Sequence, residues 1–298
     1  MKIILKMLKR NVKLFFKDKG MLFTSLITPV ILLVLYVTFL GNVYRDSFLM
    51  GLPADANIPD RLIDGLVNGQ LISSLLAVSS VTVAFCSNAL MVQDKASGAI
   101  KDLRISPARS TVFSISYYAA SLLCTLMICF GATAVCFGYM AFTGWYLSAL
   151  DAILIVLDVV LLALFGTALS SIINYFLSTQ GQMSAVGSIV SSGYGFICGA
   201  YMPISSFGIG LQRVISFLPG TYGTSLMREH ALRGAISELA ACGVSDEALK
   251  ELADAVDMNV YFFDSMVGEA NKYIILILAV ALLIGIYILM NLPRKKRK

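Results

Sequence analysis

One aspartate sits where a carboxylate is expensive. Asp158 lies in the run AILIVLDVVLLALFG, about nine residues into a predicted span, and a charge at mid-membrane costs at least about 2.5–3.5 kcal/mol on insertion scales. The spacing leaves open a pathway or ion-pair residue, a structural hydrogen bond to a neighbouring Ser or Thr, and a position nearer the interface than the count suggests. His230, the only histidine of the chain, follows Glu229. A lone histidine makes a poor metal site or general base, and no Ser/His/Asp arrangement can be built around it. The six cysteines are Cys86, Cys124, Cys129, Cys136, Cys198 and Cys242. They show no CxxC or Cys/His spacing, and five lie in apolar runs, where cysteine serves as a small packing residue. No GxxxxGK[ST] pattern and no Gly-Lys pair occurs, so the usual phosphate cradle of a nucleotide hydrolase is missing. Neither a catalytic residue nor a metal ligand set is expected.

The elements that would carry Asp158 are membrane helices. Of 298 residues, 58% are hydrophobic and only 14% charged, whereas soluble domains run nearer a quarter charged. Long uncharged runs recur, and about 20 apolar residues suffice to cross a bilayer core of about 30 Å. The pattern predicts an all-α membrane protein with six transmembrane helices at about 21–41, 67–91, 112–141, 149–174, 183–202 and 271–292. Pro29 predicts a kink in the first. The fifth carries Gly187, Ser191, Gly195 and Gly199 at four-residue spacing, a smooth stripe suited to close helix packing. Residues 203–270 mix apolar segments with Gly and Pro breaks, which predicts short re-entrant helices; Ser245 followed by Asp246 and Glu247 reads as the start of a small acidic helix. The first apolar run starts late and lacks a small-x-small site, so no cleavable signal peptide is expected.

Charge orients the spans. Residues 1–19 form a basic amphipathic helix suited to the membrane interface. The two ends and the 92–111 loop hold sixteen of the 23 Lys and Arg but only three acids, Asp18, Asp94 and Asp102. The basic excess predicts that both termini and this loop are cytoplasmic and that 203–270 is external. Membrane lipid is the expected contact of the basic ends; no nucleic-acid partner is expected. Within the loop, Ile100, Leu103 and Ile105 stand among Asp94, Lys95, Lys101, Asp102 and Arg104. Apolar anchors in a charged rim are the anatomy of a small docking surface, and Pro107 would end a short surface helix there.

At this loop the chain resembles the ABC type-2 exporter permeases, whose second span is followed by E-[KR]-x-x-G-T-[LIM]-E-x-L-x-x-[ST]-P. Lys95, Gly98, Ile100, Leu103, Ser106 and Pro107 match, with Asp94 in place of the first Glu, Ala99 of Thr and Lys101 of the second Glu. A second likeness follows the fifth span, where Gly199, Pro203, Leu211, Gln212, Pro219, Thr221, Tyr222 and Arg228 match G-x-x-x-P … L-Q … P-x-T-Y … R. With the basic N-terminal helix and the span layout, the likeness covers nearly the whole chain, 1–298, as one transmembrane domain. It implies a homodimer or heterodimer of permeases in the plasma membrane above two separate ATPase subunits, which would bind ATP and Mg, this chain binding no cofactor. It also implies that 94–107 is the coupling helix and that transport is export. The expected cargo is a small amphiphile such as a drug, lipid-like compound or peptide. Export of a lipid-linked polysaccharide or teichoic acid is the alternative within the family. An ion-coupled secondary transporter would show several intramembrane charges and matched interrupted spans.

Overall fold

The computed structural model describes residues 2–52, 58–105, 110–263 and 265–292. The expected sites Ser106 and Pro107, and the basic tail at 294–298, lie outside them. The first helix, α1 (Lys2–Lys17), buries Met7, Asn11 and Phe15. These four-residue steps place one stripe against a neighbour, here α7, while Leu5 faces outward. Asp18 then caps α2 (Lys19–Leu35), its Oδ1 accepting from the Met21 amide at 3.1 Å.

Pro29, where the sequence predicts a kink, does not interrupt the first helix of this span. Pro29 is buried inside α2, and the irregularity is a π-helical turn at Tyr36–Leu40 before α3 (Gly41–Gly51). A π turn widens the helix by one residue without needing proline.

The centre of the bundle is α4 (Asp60–Ser87), longer than the span expected at 67–91. From Leu62 to Ser87 only Asp64 and Cys86 are even half-buried; the rest is buried. Its small side chains explain how so many neighbours reach it. A β-carbon on Gly69 would stand 2.7 Å from the Ala231 carbonyl oxygen of α11, and one on Gly166 of α8 would stand 2.9 Å from Val81 Cα. Glycine at each crossing lets two backbones touch. Three hydroxyls of this helix bond within it: Ser73 to the Gln70 carbonyl at 2.9 Å, Ser80 to Leu76 at 2.8 Å and Thr82 to Val78 at 2.9 Å. Such bonds satisfy polar groups that water does not reach.

After Asn88 the chain bends into α5 (Ala89–Ala96) and α6 (Ala99–Ile105). Next come α7 (Ser110–Thr143), a turn in which Trp145 Nε1 donates to the Leu147 carbonyl, and α8 (Ala149–Phe176). Ser148 and Asp151 start α8 with a reciprocal capping box. Thr179 and Gln182 do the same for α9 (Gln180–Ile197). A 3₁₀ turn (Ile204–Ser206) and α10 (Ile209–Ile215) lead into the buried α11 (Pro219–Ala241). The acidic α12 (Asp246–Ala255) begins with Ser245 Oγ accepting from the Ala248 amide at 3.3 Å. A minimal ladder, β1 (Tyr261–Phe262) against β2 (Ser265–Met266), precedes α13 (Glu269–Met290).

Five helical stretches among the described residues are long and apolar enough to cross a membrane: Lys19–Gly51, Asp60–Ala96, Thr111–Thr143, Ala149–Phe176 and Glu269–Met290. The fifth of the six expected spans is not among them. Its helix, α9, dilutes its apolar residues with Gln, Ser and Gly.

Candidate functional site

Two polar centres stand out, one at each end of α8. The first surrounds the 94–107 segment. Asn88, at the joint of α4 and α5, donates to Ser170 and Ser171 of α8 at 3.1 and 2.7 Å and accepts from Ser121 of α7 at 3.2 Å. Gly98 separates α5 from α6 with φ +82°, a left-handed value that glycine adopts without a side-chain clash. A β-carbon there would meet only open space within this chain, so the left-handed backbone rather than packing inside the permease calls for glycine.

Asp94 and Lys95 face the body of the permease. Arg10 of α1 forks onto the buried Asp94 carboxylate at 2.7 and 3.1 Å, and the Tyr117 hydroxyl of α7 donates to the same group. Two parallel bonds fix orientation as well as distance. Lys95 Nζ donates to the Asn174, Tyr175 and Leu177 carbonyls at 2.9, 2.7 and 3.1 Å. It thereby occupies the negative end of α8, where helix carbonyls lack partners. Leu103 is half-buried: it packs against the core and, with Ile100 and Phe113, lines a small cavity. The apolar side chain left outward is Ile105, 84% exposed, beside exposed Lys101 and Asp102. The turn of α6 decides which leucine or isoleucine faces out, and sequence spacing alone does not rank them.

The second centre is a belt of charges joining α8, α11 and α13. Asp158 Oδ2 lies 2.6 Å from His230 Nδ1, and the Tyr273 hydroxyl donates to Asp158 Oδ1 at 3.0 Å. His230 Nε2 lies 3.2 Å from Glu269. Arg233 reaches Glu269 at 2.9 Å, Asp151 at 3.5 Å and Glu229 at 3.6 Å. Lys272 donates to Glu229 and to the Met258 carbonyl, both at 2.9 Å. Carboxylates only accept hydrogen bonds when ionised, so a histidine between two of them is best served as imidazolium. Burial pulls the His230 pKa down, but the Asp158 hydrogen bond and charge, with Glu269 behind them, raise it above its usual 6.5. Asp158, the tenth residue of α8, is thus level with the first turns of α13. Its partners are not the neighbouring Ser or Thr that the sequence offered. Among the described residues no group of three or more His, Cys, Asp or Glu is placed to hold a metal ion.

Arg228 forms a third, smaller centre. It is wholly buried, bonds the Gly199 carbonyl, reaches Ser74 of α4 at 3.3 Å and pairs with Asp257 at 3.1 Å. Asp257 also accepts from the Ile204 amide at 2.8 Å. The other residues singled out in this stretch do local work. Pro203 precedes the 3₁₀ turn and Pro219 opens α11. Gln212 donates to the Ser205 and Phe207 carbonyls, and the Tyr222 hydroxyl to Ser216.

The small-residue stripe does not run as one helix face. Gly187 borders open space, and Ser191 accepts the Tyr201 hydroxyl through its carbonyl at 3.4 Å. Gly195 is covered by the Tyr201 ring, and Gly199 lies beyond the end of α9 with φ +74°. Periodicity in sequence overruns the point where the helix stops.

A sequence profile of the ABC-2 type transporters matches residues 3–231, from the basic α1 through both ends of α8 to the Arg228–His230 turn of α11. No curated protein matches the chain. Permeases of this type work with ABC ATPase subunits. With the profile covering more than half of the chain, the protein belongs to the ABC-2 type transporter family, as a membrane permease domain that is not itself the ATPase.

Proposed function

We propose that this permease exports a small amphiphile and takes its power stroke through α6. The observation that carries this is the construction of the 89–105 segment. It is tied from behind by Asp94–Arg10 and by Lys95 on the α8 carbonyls, and it offers Ile105, Lys101 and Asp102 outward. An exposed apolar residue in a charged rim, on a segment that cannot yield, suits contact with a separate ATPase. Both termini then lie in the cytoplasm, α9 serves as the sixth span, and its largely exposed length faces lipid or a second permease. An apolar groove of about 400 Å³ between α2, α4 and α7, lined by Leu26, Pro29, Leu75 and Ile128, supports a hydrophobic cargo over a glycan. The carboxylates of the charge belt are already paired with His230, Arg233 and Lys272, which speaks against ion coupling.

Ile105→Asp tests the coupling surface. The variant should insert and elute like the wild type while losing ATPase co-purification and ATP-driven uptake of a fluorescent amphiphile into inverted vesicles. Unchanged association with unchanged transport would overturn the docking role. Reporters active only in the cytoplasm, fused at residue 298 and after Ala240, test orientation: activity at Ala240 with silence at 298 would reverse it.

A further inference from the structure

Beside the Arg228–Asp257 centre, a cavity of about 400 Å³ opens between α10 and the chain from Asp254 to Phe263. That is the size of a small-ligand site. Its walls combine Ile209, Ile215 and Val260 with Arg213, Asp254 and Tyr261. Two of its charges lack an opposite partner among the described residues. Arg213 makes no ion pair and lies over the Phe263 ring, 5.5 Å from its centre. Asp254 accepts only from neutral groups, Asn259 Nδ2 at 2.8 Å and the Tyr261 hydroxyl at 3.0 Å. The third charge on the wall, Asp257, is already paired with Arg228.

The cavity continues into an exposed apolar face. Ile209 and Phe263 belong to both, and Phe217, Phe262 and Phe263 touch edge to face with centroids 5.0–6.1 Å apart. This face lies a few residues from the start of α13, a candidate span. A cleft with one unpaired charge of each sign, bordered by an apolar surface, complements a molecule with a dipolar head and an apolar tail.

We propose that this cavity binds the zwitterionic headgroup of an amphiphile. Its phosphate or carboxylate meets Arg213, its ammonium meets Asp254 beside the Tyr261 ring, and its tail lies along Ile209 and the phenylalanine cluster. Arginine suits an oxyanion and an aromatic face suits an ammonium. A purely anionic head would leave Asp254 facing a like charge, and a purely cationic one would leave Arg213 so. The site deepens the export proposal and rests on it only for the direction of travel; binding stands without it.

The test is equilibrium dialysis of the purified full-length permease, in a non-ionic detergent, against a radiolabelled single-chain phosphoethanolamine amphiphile. The phosphate monoester and the primary amine of the same chain length serve as competitors. The zwitterion should bind, and each competitor should be weaker by about tenfold or more, as for loss of a hydrogen bond to a charged group. Arg213→Ala and Asp254→Asn should each weaken the zwitterion similarly, with Arg213→Ala sparing the amine and Asp254→Asn sparing the monoester. Wild-type binding by both variants, or a monoester equal to the zwitterion, would overturn the site. With ATPases added in vesicles, ATP-driven movement of the probe that both variants abolish makes the ligand cargo. Binding without movement assigns the same site to a bilayer phospholipid and counts against the export proposal alone.

Discussion

His230 Nδ1 lies 2.6 Å from Asp158 Oδ2, and both side chains are wholly buried. Removing one member of such a pair strands the other. Asp158→Ala leaves the imidazolium and the Tyr273 hydroxyl without their acceptor and should cost about 3–5 kcal/mol. Asp158→Asn keeps an acceptor and should cost less. Thermal unfolding of the purified permease in detergent measures both; an Asp158→Ala midpoint equal to the wild type would contradict the pairing.

The same pair sets a pH dependence. His230 titrates higher in the folded protein than its usual 6.5. Its contribution is therefore complete below about pH 6.5 and is lost as pH rises through the folded value. The groups facing it are Asp151 and Asp158 on α8, Glu229 and Arg233 on α11, and Glu269, Lys272 and Tyr273 on α13. The unfolding midpoint should fall on raising the pH above 6.5, and His230→Gln should flatten that fall. A variant with the wild-type slope would place the titration elsewhere.

Arg228 is held by three different groups, so its fork matters as much as its charge. Arg228→Lys should cost about 1–3 kcal/mol through lost hydrogen bonds. Arg228→Met leaves Asp257 unpaired and should cost about 3–5 kcal/mol. Adding Asp257→Asn to Arg228→Met should recover part of that loss in a double-mutant cycle. Strict additivity of the two would mean that the residues do not interact.

The backbone crossings of α4 predict a steric series. A β-carbon at Gly166 would press on Val81 Cα and one at Gly69 on the Ala231 carbonyl, with little room for either backbone to retreat. Gly166→Ala and Gly69→Ala should each destabilise by about 1–3 kcal/mol. Gly187→Ala, on open surface, serves as the control. Equal midpoints for all three would refute the close approach.

Hydropathy locates the apolar helices because a soluble core does not need an uncharged run as long as a bilayer is thick. Ser245 marks the start of α12 because a hydroxyl before two acids satisfies a helix end within one turn. Contacts between distant residues are not legible in this way. Nothing local marks His230 as the partner of Asp158, 72 positions away, or Arg10 as the partner of Asp94. One clue is present: Glu229, His230 and Arg233 fall at helical spacing in a segment otherwise rich in small residues, a match for the isolated Asp158. Proline is the usual cause of a bent span, which points to Pro29, but no residue type in the sequence marks the π-helical turn at Tyr36–Leu40. Leu103 and Ile105 differ only in which way a two-turn helix faces, and the surrounding fold sets that.

The lysine clamp on the last carbonyls of α8 has a mechanical meaning. Asn174, which Lys95 holds, and Asp158, which His230 holds, lie about 24 Å apart along one unbroken helix at 1.5 Å per residue. A hydrogen-bonded helix hardly stretches. Displacing α5 along that axis therefore delivers nearly the same stroke to the joint with α11 and α13, so α8 serves as a connecting rod between the two ends of the permease.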